Sequence, residues 1–291
     1  MSLHLSYGTN GFGDHRLSDA VEVIAELGYT GVALTLDHHH LDPFAPSISA
    51  ETAALRRQLT RLGLDTVIET GARYLLDPRH KHEPTLVSAG GRDLRVDFLH
   101  RAIDVAAELG SPVVHLWSGV LPAGDTVEAG WQRLLDGMAQ ILPNAEAAGV
   151  DLAFEPEPGM FIERLADVRE LQKRLGNPER LRYTIDVGHA LCNEEAAPEE
   201  IIQAAGDQIA HIQIEDMRRG VHQHLPFGEG ELDLTAAVAA LLEIDYQGLV
   251  SVELARNSPT APVTAAAAMA ALQQAISTAQ TPAASIREET W

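Results

Sequence analysis

Short apolar runs alternate along the chain with longer segments whose apolar residues recur at helical spacing. The runs "LHLSYGT", "GVALTLD", "DTVIETGA", "PVVHLWSG", "DLAFEPEP", "RYTIDVG", "IAHIQIED" and "LVSVELAR" predict eight strands. Segments such as "LSDAVEVIAELGY", "FLHRAIDVAAELG" and "AVAALLEIDY" predict about eight helices between them. Several helical segments end in Gly just before the next strand ("RLGLDTV", "ELGSPVV", "AAGVDLA"), where a left-handed residue turns the chain back. Strand and helix in strict alternation imply a parallel sheet with helices outside it. Eight such units in 291 residues, with no Gly-x-Gly-x-x-Gly after the first strand, fit a closed α/β barrel of the (β/α)8 type better than an open doubly wound sheet. No linker or break in composition divides the chain, so one barrel is expected over residues 1–278, followed by a tail at 279–291. The longest interruption, "RYLLDPRHKHEPTLVSAGGRD" after the third strand, exceeds an ordinary connection and is expected to act as a lid or substrate loop.

Composition narrows the function. The net charge is −21, from 42 acidic and 21 basic residues, which repels nucleic acid and anionic membranes. The lone Cys192 cannot form an internal disulfide, the opening residues lack secretory-signal features, and no apolar run is long enough to span a bilayer. A cytoplasmic protein acting on a small molecule is expected, with homo-oligomerisation left open.

In a barrel of this kind, chemistry gathers at the C-terminal ends of the strands. There the sequence places Glu155 and Glu157 ("LAFEPEP"), Asp186 and His189 ("YTIDVGH"), His211, Gln213 and Asp216 ("HIQIED") and Glu253 ("VSVEL"). Residues two apart on a strand share a face, so Glu155 pairs with Glu157 and His211 with Gln213. A single acidic residue at a strand end can be a solvated group or a helix cap, a reading that holds for Asp216 or Glu157 taken alone. Glu155, Asp186 and Glu253 sit in apolar text, where unpaired carboxylates are costly, and a shared divalent ion would resolve their repulsion. In "LDHHHLDPF" three adjacent histidines cannot all face one ion. His80 and His82 read as surface residues, and His115 reads as a core histidine.

The ordered motifs "LAFEPEPG", "YTIDVGHA", "HIQIEDM…HQHLPFGEGELD" and "VSVELAR" resemble the xylose isomerase-like TIM barrel superfamily, which includes sugar phosphate isomerase/epimerases, ketose 3-epimerases and endonuclease IV-type enzymes. The resemblance implies a metal site of Glu155, Asp186 and Glu253, with Gln213 where ketose 3-epimerases carry a metal-binding His. Either His211 or the Gln213 carbonyl could replace that imidazole, the latter suiting Mn²⁺ or Mg²⁺. Similarity to the endonuclease IV type implies a second set, His189, His222 and His224, suited to Zn²⁺. It also puts Trp117 where that type has a zinc-binding His.

The resemblance thus implies a divalent-metal-dependent isomerase or epimerase of a small sugar, sugar phosphate or related polyhydroxy carbonyl compound. Glu155 and Glu253 would exchange the proton through an enediolate. His189, Glu157, Trp117, Arg218 and Arg219 would contact substrate, with Arg73, Arg79 and Lys81 as further candidates. The alternatives are a zinc hydrolase of the endonuclease IV-like type and an inert sugar-binding barrel.

Overall fold

The computed structural model describes residues 2–281. Eight parallel strands close a barrel: β1 (His4–Gly8), β2 (Gly31–Thr35), β3 (Asp65–Glu69), β4 (Val113–Leu116), β5 (Asp151–Phe154), β6 (Leu181–Asp186), β7 (Ile209–Ile214) and, after the separate antiparallel ribbon of β8 (Asp216–Arg218) and β9 (Val221–Leu225), β10 (Leu249–Val252). Their order is β1-β10-β7-β6-β5-β4-β3-β2, closed where His4 pairs with Leu249 and Ser6 with Ser251. The expected (β/α)8 barrel is the fold.

Helices α1 (Leu17–Glu26), α2 (Ile48–Leu62), α3 (Arg92–Leu109), α4 (Val127–Ala148), α5 (Leu165–Arg174), α6 (Val187–Asn193), α7 (Pro198–Ala205), α8 (Leu234–Glu243) and α9 (Ala261–Gln280) accompany the strands. Gly110 and Gly149, at φ 78° and 70°, end α3 and α4 in the left-handed conformation that lets the chain re-enter the barrel. Ala279 and Gln280, assigned by sequence to a tail, belong to α9, while residues 282–291 lie outside the described part. Among the described residues no helix is long and apolar enough to cross a membrane.

The inward positions of the strands change character from one end of the barrel to the other. At the entry end, Val67, Val113, Ala153 and Leu249 form an apolar cluster of their own. Two residues further along β4 and β10 stand His115 and Ser251, both buried, and Ser251 Oγ lies 2.5 Å from Ser6 Oγ and 2.8 Å from His211 Nε2. A further step brings Glu69, Glu155, Asp186, Gln213 and Glu253 to the exit end. Period-two alternation therefore carries charge only to the rim where the loops meet, and the outward residues Ile212, Ile214, Val250 and Val252 seal the barrel against its helices.

The segment after β7 is not an open loop. It folds into the β8–β9 ribbon because the buried Asp216 carboxylate accepts backbone N–H groups of Met217, Gly228, Gly230 and Leu232 at 2.8–2.9 Å. Asp216 is a structural tie, neither the solvated group nor the helix cap that its place at a strand end suggests.

Candidate active site

On the β5–β7 side of the rim, buried acids and imidazoles interlock. Glu155, just past β5, takes a hydrogen bond from His115 (Nε2 to Oε2, 2.7 Å), and its Oε1 lies 3.1 Å from His189 Nδ1. His115 is thus more than a core filler, since it orients Glu155. Asp186 ends β6 and caps α6, accepting the His189 N–H at Oδ1 (2.8 Å) and leaving Oδ2 free, 3.7 Å from His189 Nε2. The β8–β9 ribbon delivers His222 and His224 against His189, with ring centroids 4.6 and 5.3 Å from it, so both face the cavity. His222 also lies 4.0 Å from Glu157.

Glu215 was not singled out from sequence. It is fully buried, 3.5 Å from His224 Nδ1, with neither carboxylate oxygen hydrogen-bonded, and Gly188 leaves the room for it, because a Cβ there would fall 2.2 Å from Glu215 Oε1. The signal was present: in "HIQIED" alternation puts Glu215 on the inward face with His211 and Gln213, and Asp216 on the other.

Across the rim, Gln213 donates to Glu253 Oε2 (2.5 Å) and Glu69 Oε1 (3.1 Å), and its own Oε1 has no partner. Asn10 donates to Glu253 Oε1 at 2.9 Å, and Thr35 to Glu69 Oε2 at 2.8 Å. His211 lies lower, bonded to Ser251, and burial pushes its pKa down to about 3. Among the described residues it belongs to no group close enough to share an ion, which counts against it as a ligand.

Proton affinities diverge within the cluster. Although burial opposes it, His115 drives the Glu155 pKa well below the carboxylate range. His115 and His189 rise to about 9 and about 10, where the neighbouring acids overcome desolvation. Burial, reinforced by other carboxylates, raises Glu69 to about 7, Glu157 to about 8, and Glu215 and Glu253 above their ordinary value. Desolvation lowers His222 to about 4, whereas His224 is raised because Glu253 and Asp186 outweigh its burial.

Glu69, Glu155, Glu157, His189, Gln213, His222, His224 and Glu253, with Asp186, Glu215 and His211 set behind them, line one cavity of about 700 Å³ that also includes Trp117, Arg73, Lys81 and Arg256. Trp117 forms a wall, edge-on to His82 at 5.4 Å and 5.0 Å from the Arg95 guanidinium. Arg218 and Arg219 do not enter the cavity. They are exposed on the ribbon and donate to the Glu229 and Glu194 carbonyls at 2.7 Å, which corrects the expectation that they hold substrate. In the long loop, Arg79 is outside the lining and His80 pairs with Asp77 at the surface, while Arg95 pins the carbonyls of Thr70, His82 and Pro84.

The donor set fits a divalent cation. Asp186 Oδ2, His189 Nε2 and both Glu215 oxygens are buried without hydrogen-bond partners, and Glu155 Oε1 has only the His189 Nδ1 ion pair at 3.1 Å, a costly state that a cation relieves. Ligand atoms lie within 4.8 Å of one another in Glu155–Asp186–His189, in Asp186–Glu215–His224 and in His189–His222–His224. Glu253, expected beside Glu155 and Asp186, is in none of these groups as its side chain stands.

Known proteins share this frame. The chain is 24% identical over 279 residues to inosose dehydratase of Geobacillus kaustophilus, covering 86% of this chain and 84% of that one. It is 24% identical over 253 residues to fructoselysine 3-epimerase of Shigella flexneri, covering 83% and 84%. The solved structure of an L-ribulose 3-epimerase superposes with a TM-score of 0.76 at 18% identity, covering 96% of each chain. With the closed barrel, the acidic strand ends and a family profile matched over residues 21–275, the chain belongs to the xylose isomerase-like TIM barrel family.

Proposed function

We propose that the protein is a divalent-metal-dependent isomerase or epimerase of a polyhydroxy carbonyl compound. The observation that carries this reading is the convergence of Glu155, Asp186 and His189, with unpartnered buried donor atoms, at the edge of a cavity at the exit end of the barrel that Glu155 and His189 line. Glu155, Asp186 and His189 would hold the ion, with the free Gln213 oxygen and Glu253 facing the same cavity. Bound there, a divalent ion polarises the substrate carbonyl and acidifies the neighbouring C–H.

The chain's own groups divide the proton transfer. Two carboxylates whose environments push their pKa values apart make a base and an acid. Glu155, kept ionised by His115, is the base that removes the carbon-bound proton. Glu253, its pKa raised by burial and by Glu155 and Asp186, holds a proton to return to the enediolate. Asn10 and Gln213 fix the Glu253 carboxyl, and the Trp117 wall limits water around the reacting carbons.

Incubating the metal-replete protein with a panel of ketoses and ketose phosphates in D2O tests the reading. Deuterium should enter the carbon next to the carbonyl, and chelation should abolish the exchange. Absence of deuterium from every panel member, with metal bound, would sink the proposal.

The all-imidazole group His189–His222–His224 favours a second reading, a zinc hydrolase with more than one ion. Two or more zinc ions per chain as purified, together with phosphodiesterase activity and no deuterium exchange, would replace the isomerase reading.

A further inference from the structure

The functional reading leaves unused the cations that share the cavity. Arg73 and Lys81 come from the segment after β3, and Arg256 follows β10. Since β10, β1, β2 and β3 are consecutive around the barrel, these residues occupy one side of the mouth, facing the acids and imidazoles of β5, β6 and β7. The sequence has 42 acidic residues against 21 basic ones, so a cation has carboxylates to choose from. Yet among the described residues neither Lys81 nor Arg256 has any ion-pair or hydrogen-bond partner. Arg73 uses one nitrogen on Asp37 (3.1 Å), whose other oxygen is fixed by the His39 and His40 N–H groups at 2.9 and 3.0 Å. That leaves most of the guanidinium donors of Arg73 free and its position set. The crowding has a cost: partial burial first, then Arg73 and Arg256, lowers the Lys81 pKa.

We propose that Arg73, Lys81 and Arg256 form a clamp for an oxyanion carried by the substrate, a phosphate ester or a carboxylate, so that the enzyme acts on an anionic sugar derivative. This rests on the reading of the cavity as the site of a polyhydroxy carbonyl compound. The overall charge of −21 repels such a ligand at long range, but salt screens charges beyond about 8 Å, so the cations on this side of the mouth are what an oxyanion entering there meets first. Guanidinium forks match the paired oxygens of phosphate and carboxylate, and the Lys81 ammonium adds a point charge. The clamp also gives a use to the Asp37–His40 segment, in which Asp37 and its backbone contacts orient Arg73 while His38 and His39 border the same space.

The sequence supplies its own probe, because Lys81 and Lys173 are its only lysines. Lys173 is 79% exposed on α5 and outside the cavity, which makes it an internal control. The protein as purified is treated with an acetylating reagent at pH 8, with inorganic phosphate, acetate or chloride at equal ionic strength, and both acetyl-lysines are quantified by peptide mass spectrometry. Phosphate should slow acetylation of Lys81 and leave Lys173 unchanged, while chloride protects neither. Acetate protecting more strongly than phosphate identifies a carboxylate ligand, and the reverse identifies a phosphate. Arg256→Gln should weaken that protection about tenfold, the loss of one hydrogen bond to a charged group, with metal content unchanged. A Lys81 to Lys173 ratio that phosphate and acetate leave unchanged, that chloride matches, or that Arg256→Gln does not alter overturns the clamp. Metal content, measured in the same samples, separates the two readings. A metal-free chain still protected by phosphate fails the isomerase proposal alone, whereas a metal-bound chain without protection fails the clamp alone.

Discussion

The β5–β7 side of the cavity and the side formed by β10, β1, β2 and β3 are built from different material. On the first, Glu155, Asp186 and Glu215 sit on or just past barrel strands, are almost completely buried, and have oxygens without partners. On the second, Arg73, Lys81 and Arg256 stand on connecting segments and reach the mouth from outside the barrel wall. Strand residues are held to a fraction of an ångström by the ladder, which suits ligand atoms for an ion. Loop residues adapt, which suits recognition of a substrate group. The difference predicts that changes on the first side abolish chemistry and changes on the second alter affinity.

The largest effect is expected from Glu155→Gln. A neutral amide cannot take the proton and binds a cation weakly, so turnover should fall at least about a thousandfold while the barrel still folds. Arg73→Gln should instead raise KM with kcat nearly unchanged. Steady-state kinetics and circular dichroism of both variants check this, and a kcat loss in Arg73→Gln equal to that in Glu155→Gln would erase the distinction between the two sides.

Two adjacent carboxylates sharpen it further. Asp216 serves four backbone N–H groups, whereas Glu215 serves none. Asp216→Ala should therefore cost about 2–3 kcal/mol of stability, through the donors it leaves unsatisfied. Glu215→Gln should stabilise the metal-free protein and weaken divalent-ion binding. Denaturant unfolding with and without chelator measures both, and a destabilised metal-free Glu215→Gln protein would make Glu215 structural after all.

A smaller effect separates the metal-free from the metal-bound protein by pH. Above pH 6.5 the shifts of the rim acids and imidazoles act in one direction, opposed only toward pH 9 by Arg95, which burial lowers to about 9: Glu69 and Glu157 keep protons to about 7 and about 8, and His115 and His189 to about 9 and about 10. In the unfolded chain these groups titrate near 4.5 and 6.5. The folded state thus binds more protons between pH 6.5 and about 9, and metal-free stability falls as pH rises. Below 6.5, His211 and His222, lowered to about 3 and about 4, act in the opposite sense. Ion binding requires deprotonated ligands, so the stabilisation by metal should grow over the same interval. Thermal unfolding at pH 6.5 and 9 should show a change of a few degrees, about 1–2 kcal/mol, with metal and chelator curves diverging. Parallel curves would remove the ion from this cluster.

What the sequence disclosed follows the same division. Alternation within short apolar runs is a local signal, so the eight strands and the inward carboxylates Glu155 and Asp186 were legible, as was the pairing of His222 with His224 two residues apart. Glu215 obeys the same rule, but a strand end with two adjacent acids does not by itself say which of them faces inward until the strand's last residue is known. His115 looked like core because its partner lies 40 residues away. That Arg73 and Arg256 line one cavity depends on β10 closing against β1, a long-range event that no local pattern records.

Arg218 and Arg219 show the reverse error, and they give the smallest expected effect. Their position after β7 suggested substrate contact, since a cation following a strand end usually faces the rim. The ribbon changes the outcome. Once Asp216 folds the segment back through four N–H bonds, Met217 turns inward and Arg218 and Arg219 are carried outward, where their guanidinium groups meet the Glu229 and Glu194 carbonyls. Exposed hydrogen bonds of that kind contribute little, so Arg218→Ala and Arg219→Ala should each leave stability within about 0.5 kcal/mol. Turnover and KM should stay within about twofold, against the roughly tenfold or greater effect that loss of a charged substrate contact produces. Kinetics on the two single variants decide the matter. A tenfold rise in KM for either would mean that the ribbon swings over the bound substrate, and the contrast between a fixed acidic side and an adaptable cationic side would have to be redrawn to include a third, mobile wall.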